Sequence, residues 1–376
     1  IVILKYVVTN KAAANGATTF TLNGNIGGFS DTTITTNSNA ANGTEAETNA
    51  SVKFNAPKSY SAQDRAVTVE DYKVKVQEIY ANAKSVSAWG GEDNDTPFYG
   101  RVYISIKAKS GSNLTETTKT DIVNQLKKFS IASVTPVILD PETTDIILTS
   151  NVKYNEPATT KGTETIKTDI TNALTNYNDN TLNQFDGVFR YSKVIELIDD
   201  ADSSILSNIT TVKIRKSFTP TLSTATNYTV SFNNALYNPH SGHNSSAGGI
   251  LSSTGFKVSG DTTNVYFFDD DGQGNIRRYY LANQVRTYVD NTAGTIDYSA
   301  GSLLINSVNI TSVENVRGSA SSVIECTVTP SSNDVVPVRN QIVNIDVTNS
   351  SFTVAADTLV GGSANAGVGY TTTSSY

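Results

Sequence analysis

Methionine is absent from the chain, even at its first position, and cysteine, histidine and tryptophan are nearly so: one Cys, two His and one Trp in 376 residues. With no Met at position 1, the sequence reads as part of a longer protein that lacks an N-terminal portion. The lone thiol, Cys326, excludes a disulfide within the chain and any cysteine-based metal cluster. It stands in the apolar run Val323-Ile324-Glu325-Cys326-Thr327-Val328, which reads as a strand with a buried thiol. Charge is sparse, at 17% of residues, and its balance is −7 with no basic run, which argues against a nucleic-acid-binding surface. No apolar run approaches the ~20 residues that span a bilayer. Residues 1–8 are apolar but too short for a signal-peptide core with its flanks, and read as a strand.

What the chain has in quantity is Asn, Thr and Ser, a composition frequent in extracellular and viral structural proteins. Its length exceeds one ordinary core and predicts several domains. The stretch 56–109 is the most patterned. Thr68 and Asp71 form a capping box ahead of Val69, Tyr72, Val76, Ile79 and Tyr80 at helical spacing. Gly90-Gly91 and the cluster 93–97 break the chain, and Val102, Ile104 and Ile106 then alternate with polar residues as a strand. Helix, acidic glycine turn, strand is the expected order, with no nucleophile set against a base.

The same stretch resembles a known family. Gln63-Asp64-Arg65-Ala66-Val67-Thr68-Val69-Glu70-Asp71-Tyr72, Trp89-Gly90-Gly91-Glu92-Asp93, Pro97, Tyr99-Gly100 and Val102 are similar to the signature of the baseplate J family. Within it they are closest to the wedge subunit of the inner baseplate ring in large contractile-tailed, T4-like phages. The resemblance runs clearly from 56 to 218 and more faintly to 306. It implies a structural, late virion protein of the tail baseplate, made in the bacterial host cytoplasm and free of cofactors. The implied partners are the chain itself, as a homodimer and in ring contacts, and other wedge subunits including the lysozyme-like sheath initiator, with neither nucleic acid nor membrane. Arg65, Thr68, Asp71 and Tyr72 are then expected to carry the fold, and Trp89, Gly90, Gly91, Glu92, Tyr99 and Arg101 the loop, in structural or interfacial roles.

The remaining pattern predicts a multidomain α+β protein, with two small α/β units in the middle flanked by β-rich N- and C-terminal regions. Residues 1–55 read as short strands (1–8, 19–22, 52–54) in polar loops, with a linker over 30–49 and a boundary at Ala56-Pro57. Residues 56–140 form the first α/β unit, with a second amphipathic helix over 115–129 and a strand over 134–139. A second unit, 141–220, has a strand through Ile146, Leu148, Val152 and Tyr154, a helix striped by Ile166, Ile170, Leu174 and Tyr177, a shorter helix over 191–198 and a closing strand to Phe218. Over 221–330 helical period gives way to short strands, with hairpin loops at 269–275 and 291–294. Residues 331–376 are a β segment through Ile342, Val343 and Ile345 that ends in a small, polar arm.

Several constellations of polar residues suggest chemistry, and each has a plainer account. Asp269-Asp270-Asp271-Gly272 invites calcium, but EF-hand spacing fails and an acidic hairpin turn accounts for it. Glu92, Asp93 and Asp95 have no histidine to complete an acid–base site. His240 and His243 lack a first shell, Ser241 lacks a partner acid, and Gly272-Gln273-Gly274 lacks a third glycine. Catalytic, cofactor and metal residues are therefore expected to be none. The rival readings are a carbohydrate-binding tail-fibre or adhesin module, suggested by the Asn/Thr/Ser-rich β region and its tyrosines, and a cell-wall hydrolase.

Overall fold

The computed structural model describes residues 10–29, 31–36, 40, 43, 45–94, 96–109, 113–239 and 249–357. The strand expected over 1–8, Asp95, Ser241 with His240 and His243, and the arm over 361–376 lie outside them. The chain divides into two compact units, Ile1–Pro141 and Glu142–Tyr376.

Among its described residues the first unit holds three α-helices and a three-stranded sheet: α1 (Asn49–Ala62), α2 (Val69–Ile79), β1 (Ala83–Gly90), β2 (Arg101–Ala108), α3 (Glu116–Leu126) and β3 (Thr135–Leu139). The capping box at Thr68 is complete: Asp71 N–H donates to Thr68 Oγ1, and Thr68 N–H donates to Asp71 Oδ2 at 2.9 Å. The sheet runs β1-β2-β3, with β1 antiparallel and β3 parallel to β2, so α3 is a crossover helix. Tyr72 and Val76 from α2 and Ile122 and Leu126 from α3 meet Val86, Ala88, Ile104 and Ile106 in one core.

Two expectations fail here. No strand occurs among the described residues of 10–62, so the N-terminal β-rich region is not found there. Residues 52–54 belong instead to α1, which runs through Pro57 and is capped by Thr48. A Val–Lys–Phe triplet is too short to fix a period, and Thr48 with several good helix formers decides it. The second miss is β1. Its inward residues are as small as Ala83 and Ala88, so Gly90 ends a strand that the alternation of apolar residues did not reveal.

In the second unit, β4 (Glu142–Tyr154), α4 (Thr163–Tyr177), α5 (Tyr191–Asp199) and β5 (Ile205–Phe218) follow one another. Ile166, Ile170 and Leu174, at four-residue spacing, pack with Val194 and Ile198 onto Ile146, Leu148, Val212 and Ile214. A single π turn, Asn178–Leu182, continues α4. After β5 come β6 (Ala225–Ser231), β7 (Ser252–Ser253), β8 (Phe256–Val258), β9 (Asp261–Asp270), β10 (Asn275–Ala282), β11 (Val285–Asp297) and β12 (Ser302–Val313). All of these but β7 form one sheet of order β11-β10-β9-β8-β12-β6, and a further β11–β12 pairing links β8 to β12 in a closed, barrel-like ring of pairings. Phe256 and Phe268 stack at 4.6 Å among its buried residues. The loop expected at 291–294 is not one: those residues lie inside β11, and the turn falls after Asp297. Ala293 and Gly294 resemble a turn in sequence, yet the backbone of Leu304 approaches Gly294 too closely for a Cβ.

The C-terminal strands β13 (Ile324–Val328), β14 (Gln341–Ile345) and β15 (Ser351–Ala356) return to the α/β sheet, whose order is β14-β4-β5-β13-β7. β14 and β15 lie one after the other along the same edge of β4, both parallel to it. Cys326 is fully buried in β13, and burial pushes its thiol up to about 12. The second unit has one continuous core, shared by sheet and barrel.

Candidate assembly surface

The residues singled out in the sequence gather at one end of the first unit, where β1 ends and β2 and β3 begin. Arg65 is exposed just ahead of Ala66, whose N–H donates to Phe129 O at 2.9 Å, tying the entry to α2 to the end of α3. Thr68 and Asp71 cap α2 beside it. Partial burial opposes the Asp71 charge, but the N–H groups of Thr68 and Val67, the Thr68 hydroxyl and the nearby Arg65 outweigh it and hold the carboxyl below its usual range. Tyr72 is buried, and its hydroxyl has no hydrogen-bond partner.

The glycine loop is built around Trp89. Its ring is buried and stacks on Tyr103 across the β1–β2 pair at 5.9 Å, while its Nε1 donates to Asn94 Oδ1 at 2.9 Å. Gly90 leaves the strand, and Gly91 opens a single 3-10 turn, Gly91–Asp93. Gly91 O accepts from Phe98 N at 2.8 Å, and a Cβ on Gly91 would collide with the carbonyl oxygen of Phe98. The loop can close only on a glycine. The exposed Glu92 carboxylate folds back over Gly90, where a Cβ would meet it. Beyond the loop, Gly100 takes φ +74 and its carbonyl accepts from Thr135 N at 3.0 Å, joining the start of β2 to that of β3.

This framework displays an apolar rim. Tyr99 is 78% exposed and Phe98 49%, with Arg101 stacked over the Phe98 ring at 3.9 Å. Val67 and Ile131 are exposed on the neighbouring entries to α2 and β3. In sequence, Phe98 brackets the Gly-Gly turn with Trp89 and Tyr99 as a candidate aromatic anchor, and Val67 stands in the signature. Ile131 carries no such signal, and the bridge between Ala66 and Ser130 is what sets its segment beside Val67.

Among the described residues, no group of three or more His, Cys, Asp and Glu is placed to hold a metal, and no helix is long and apolar enough to cross a membrane. Asp269 and Asp270 are buried and committed. Asp269 accepts from Arg277 Nε at 3.0 Å, Arg286 Nη1 at 2.8 Å and the Tyr288 hydroxyl at 2.8 Å. Asp270 accepts from Leu251 N at 2.7 Å and the Tyr298 hydroxyl at 2.7 Å. A cleft of about 410 Å³ beside β5 is lined by Glu142, Asp145, Arg215, Lys216 and Glu325, each of which has an ionic partner within the fold.

Known proteins match this framework in two places. Residues 68–139 match the family described as baseplate structural protein gp6, C-terminal domain I. Residues 145–217 match baseplate structural protein gp6, C-terminal domain III. Both matches name one protein. Over 221 residues the chain is 27% identical to the baseplate wedge protein gp6 of Enterobacteria phage T4, covering 57% of this chain and 33% of that protein. The chain thus spans about a third of the length of that relative. A solved structure, the six-fold symmetrised cryo-EM baseplate of the anti-feeding prophage, overlays 45% of this chain and 38% of its own at a TM-score of 0.36 and 12% identity. A likeness that loose carries no argument.

The domain I match covers α2, the glycine loop, α3 and β3, and so contains Trp89, Tyr99 and Arg101. The domain III match covers nearly all of β4, with α4, α5 and β5. The barrel lies beyond both.

Proposed function

We propose that the chain is a structural subunit of a phage tail-baseplate wedge, gp6-like in its C-terminal domains, located in the virion baseplate and performing no catalysis. The observation that carries this reading is the tandem match to gp6 domains I and III, in order, on two adjacent folded units. The T4 relative bears the name of a baseplate wedge protein, and the matched families that of a baseplate structural protein.

The apolar rim is the surface by which this subunit meets others. Exposed aromatics flanked by Arg have the composition of interface hot spots. Here they stand on a loop whose shape is fixed by Gly91 and the Trp89–Tyr103 stack, so little conformational freedom is lost when it docks. The subunit joins wedges into the inner ring around the tail tube through contacts with its own copies and with other wedge subunits, the lysozyme-like sheath initiator among them. Light scattering of the chain mixed with the wedge subunits of a contractile-tailed phage tests this. Complexes are expected, and the double substitution Phe98→Ser, Tyr99→Ser is expected to weaken them at least tenfold. A chain that forms no complex with any wedge subunit yet binds on a glycan array would overturn the reading in favour of an adhesin.

A further inference from the structure

Strand pairing ends in the first unit at Leu139 and resumes in the second at Glu142. Leu139 pairs with Ser105 of β2, whose Oγ donates to Leu139 O at 3.0 Å. Glu142 pairs with Gln341 of β14, and its N–H donates to Asn340 O at 2.9 Å. Only Asp140 and Pro141 lie between the two paired segments. Two residues reach at most about 7 Å, so the joint holds no slack.

Each flank of the joint is held within its own unit by a buried lysine. In the first unit Lys119 of α3, 9% exposed, donates from Nζ to Asp140 Oδ2 at 2.8 Å and to Glu116 Oε1 at 2.7 Å. Asp140 first, and then Glu116, hold this ammonium above its usual range. In the second unit Lys216 of β5, 7% exposed, donates to Glu142 Oε2 at 2.8 Å and to Ser231 O at 2.7 Å. A buried ammonium that loses its carboxylate keeps its desolvation cost uncompensated, so neither contact opens readily.

Few torsions are left between these two clamps. The Pro141 ring fixes its own φ, and its Cδ confines the ψ of Asp140 to extended values. The backbone of Leu139 and of Glu142 is fixed by strand pairing. What remains soft is the φ of Asp140 and the ψ of Pro141. We propose that Asp140–Pro141 is the pivot of this chain: change of angle between the units is confined to these two torsions, and Lys119 and Lys216 clamp the chain on either side so that neither sheet frays as it turns. A joint of this kind passes movement of one unit on to the other, where a slack linker would absorb it. The pivot belongs to the chain itself and does not depend on the wedge reading.

Double electron–electron resonance between spin labels on the two units tests the pivot. Asn124→Cys on α3 and Ser192→Cys on α5 put the labels at exposed positions, while the fully buried Cys326 stays unlabelled. The doubly labelled chain is expected to give a narrow distance distribution. Pro141→Gly frees both restricted torsions and is expected to broaden it about twofold or more. Asp140→Ala and Glu142→Ala each release one clamp while the lysine keeps its second acceptor, and each is expected to broaden it by less. Lys161→Met, which removes an ionic lysine paired to Asp169 and Asp202 instead, is expected to leave the width unchanged. Hydrogen exchange at β2 and β5 checks that every variant is folded. A width that Pro141→Gly does not change, or that ignores both clamp variants, overturns the pivot.

Discussion

Phe218, where β5 leaves the α/β sheet, lies directly opposite Ile324, where β13 re-enters it. The intervening residues 219–323 carry β6 to β12, so the barrel is inserted between two neighbouring antiparallel strands. Chain entry and exit at adjacent positions is what an inserted module requires. Yet the barrel is not independent of its host. Tyr228, Phe232 and Leu236 share a core with Val212 and Ile345, and Lys216 Nζ donates to Ser231 O at 2.7 Å. Sheet and barrel are therefore expected to unfold together. Native-state hydrogen exchange should give β4–β5 and β9–β10 amides the same opening free energy. Barrel amides that open at distinctly lower energy would show two cooperative units where the core predicts one.

Trp89 is the sole tryptophan and sits in the first unit, so its fluorescence reports that unit alone. Gly91→Ala should displace the loop, because the added Cβ meets the Phe98 carbonyl, a backbone atom that cannot swing away. The expected cost is about 1–3 kcal/mol. Gly90→Ala meets only the movable Glu92 carboxylate and should cost less. Urea denaturation followed at the Trp89 emission ranks the two, and a Gly91→Ala midpoint equal to or above that of Gly90→Ala would contradict the geometry.

Tyr72 gives the opposite kind of prediction. Its ring fills the core of the first unit, but its buried hydroxyl has no partner. A buried polar group left unpaired opposes folding. Tyr72→Phe should thus leave stability unchanged or raise it, while Tyr72→Ala should cost roughly 3–5 kcal/mol. Loss of stability in Tyr72→Phe would mean that the hydroxyl is satisfied after all.

Local signals were legible in the sequence and long-range ones were not. The Thr68–Asp71 box and the Ile166–Ile170–Leu174 stripe fix their helices within a few residues, because caps and 3.6-residue periodicity are written over short spans. The other partners of β4 and β5, the three strands β13, β14 and β15, come from residues 324–356, and nothing in the pattern of β14 says that its neighbour lies some two hundred positions earlier. The same holds for the rim: Val67, Tyr99 and Arg101 stand in the signature, but Ile131 comes beside Val67 only through a parallel bridge between Ala66 and Ser130. At α1 and β1 the local signal itself was too weak, with three residues in one and alanines in the other.

Asp202 should make the second unit acid-sensitive. Its carboxylate receives Lys161 at 2.7 Å, with Ser204 N at 2.9 Å and Ser204 Oγ at 2.6 Å, and these lower its pKa to about 2, Lys161 first. A folded-state pKa below the unfolded value of ~3.9 means a contribution fully present above that value and lost as pH falls through about 2. Asp202→Asn should therefore lower stability at neutral pH, and the gap to wild type should shrink as the acid limb is entered. Urea midpoints of both proteins at pH 7 and near ~3 would settle it; a gap that is constant with pH assigns the effect to packing instead.

Arg215 is the point where the distant strands are fastened. Its guanidinium is buried on β5 and pairs with Asp145 on β4 at 2.9 Å, with Asp346 just past β14, and with Glu325 on β13 at 3.6 Å. Burial opposes the Asp346 charge, but Asn349 and Arg215 outweigh it and hold that carboxyl below its usual range. Asn178 completes the fastening, accepting from Ile345 N at 2.8 Å and donating to Asn344 at 2.9 Å. Removing Arg215 leaves Asp145 and Asp346 without their cation, while Glu325 keeps Arg317 at 2.6 Å; breaking a buried pair on one side costs roughly 3–5 kcal/mol. Arg215→Met should loosen β14 and β15 before the rest, since they hold only the outer edge of β4. Limited proteolysis is then expected to cut first around residues 346–350 in the variant. Replacing Asp145 and Asp346 by their amides as well should recover much of the loss, because neither carboxylate is then left without its cation and Glu325 still has Arg317. If Arg215→Met is cut no faster there than wild type, the C-terminal strands are held by packing and the ionic fastening is dispensable.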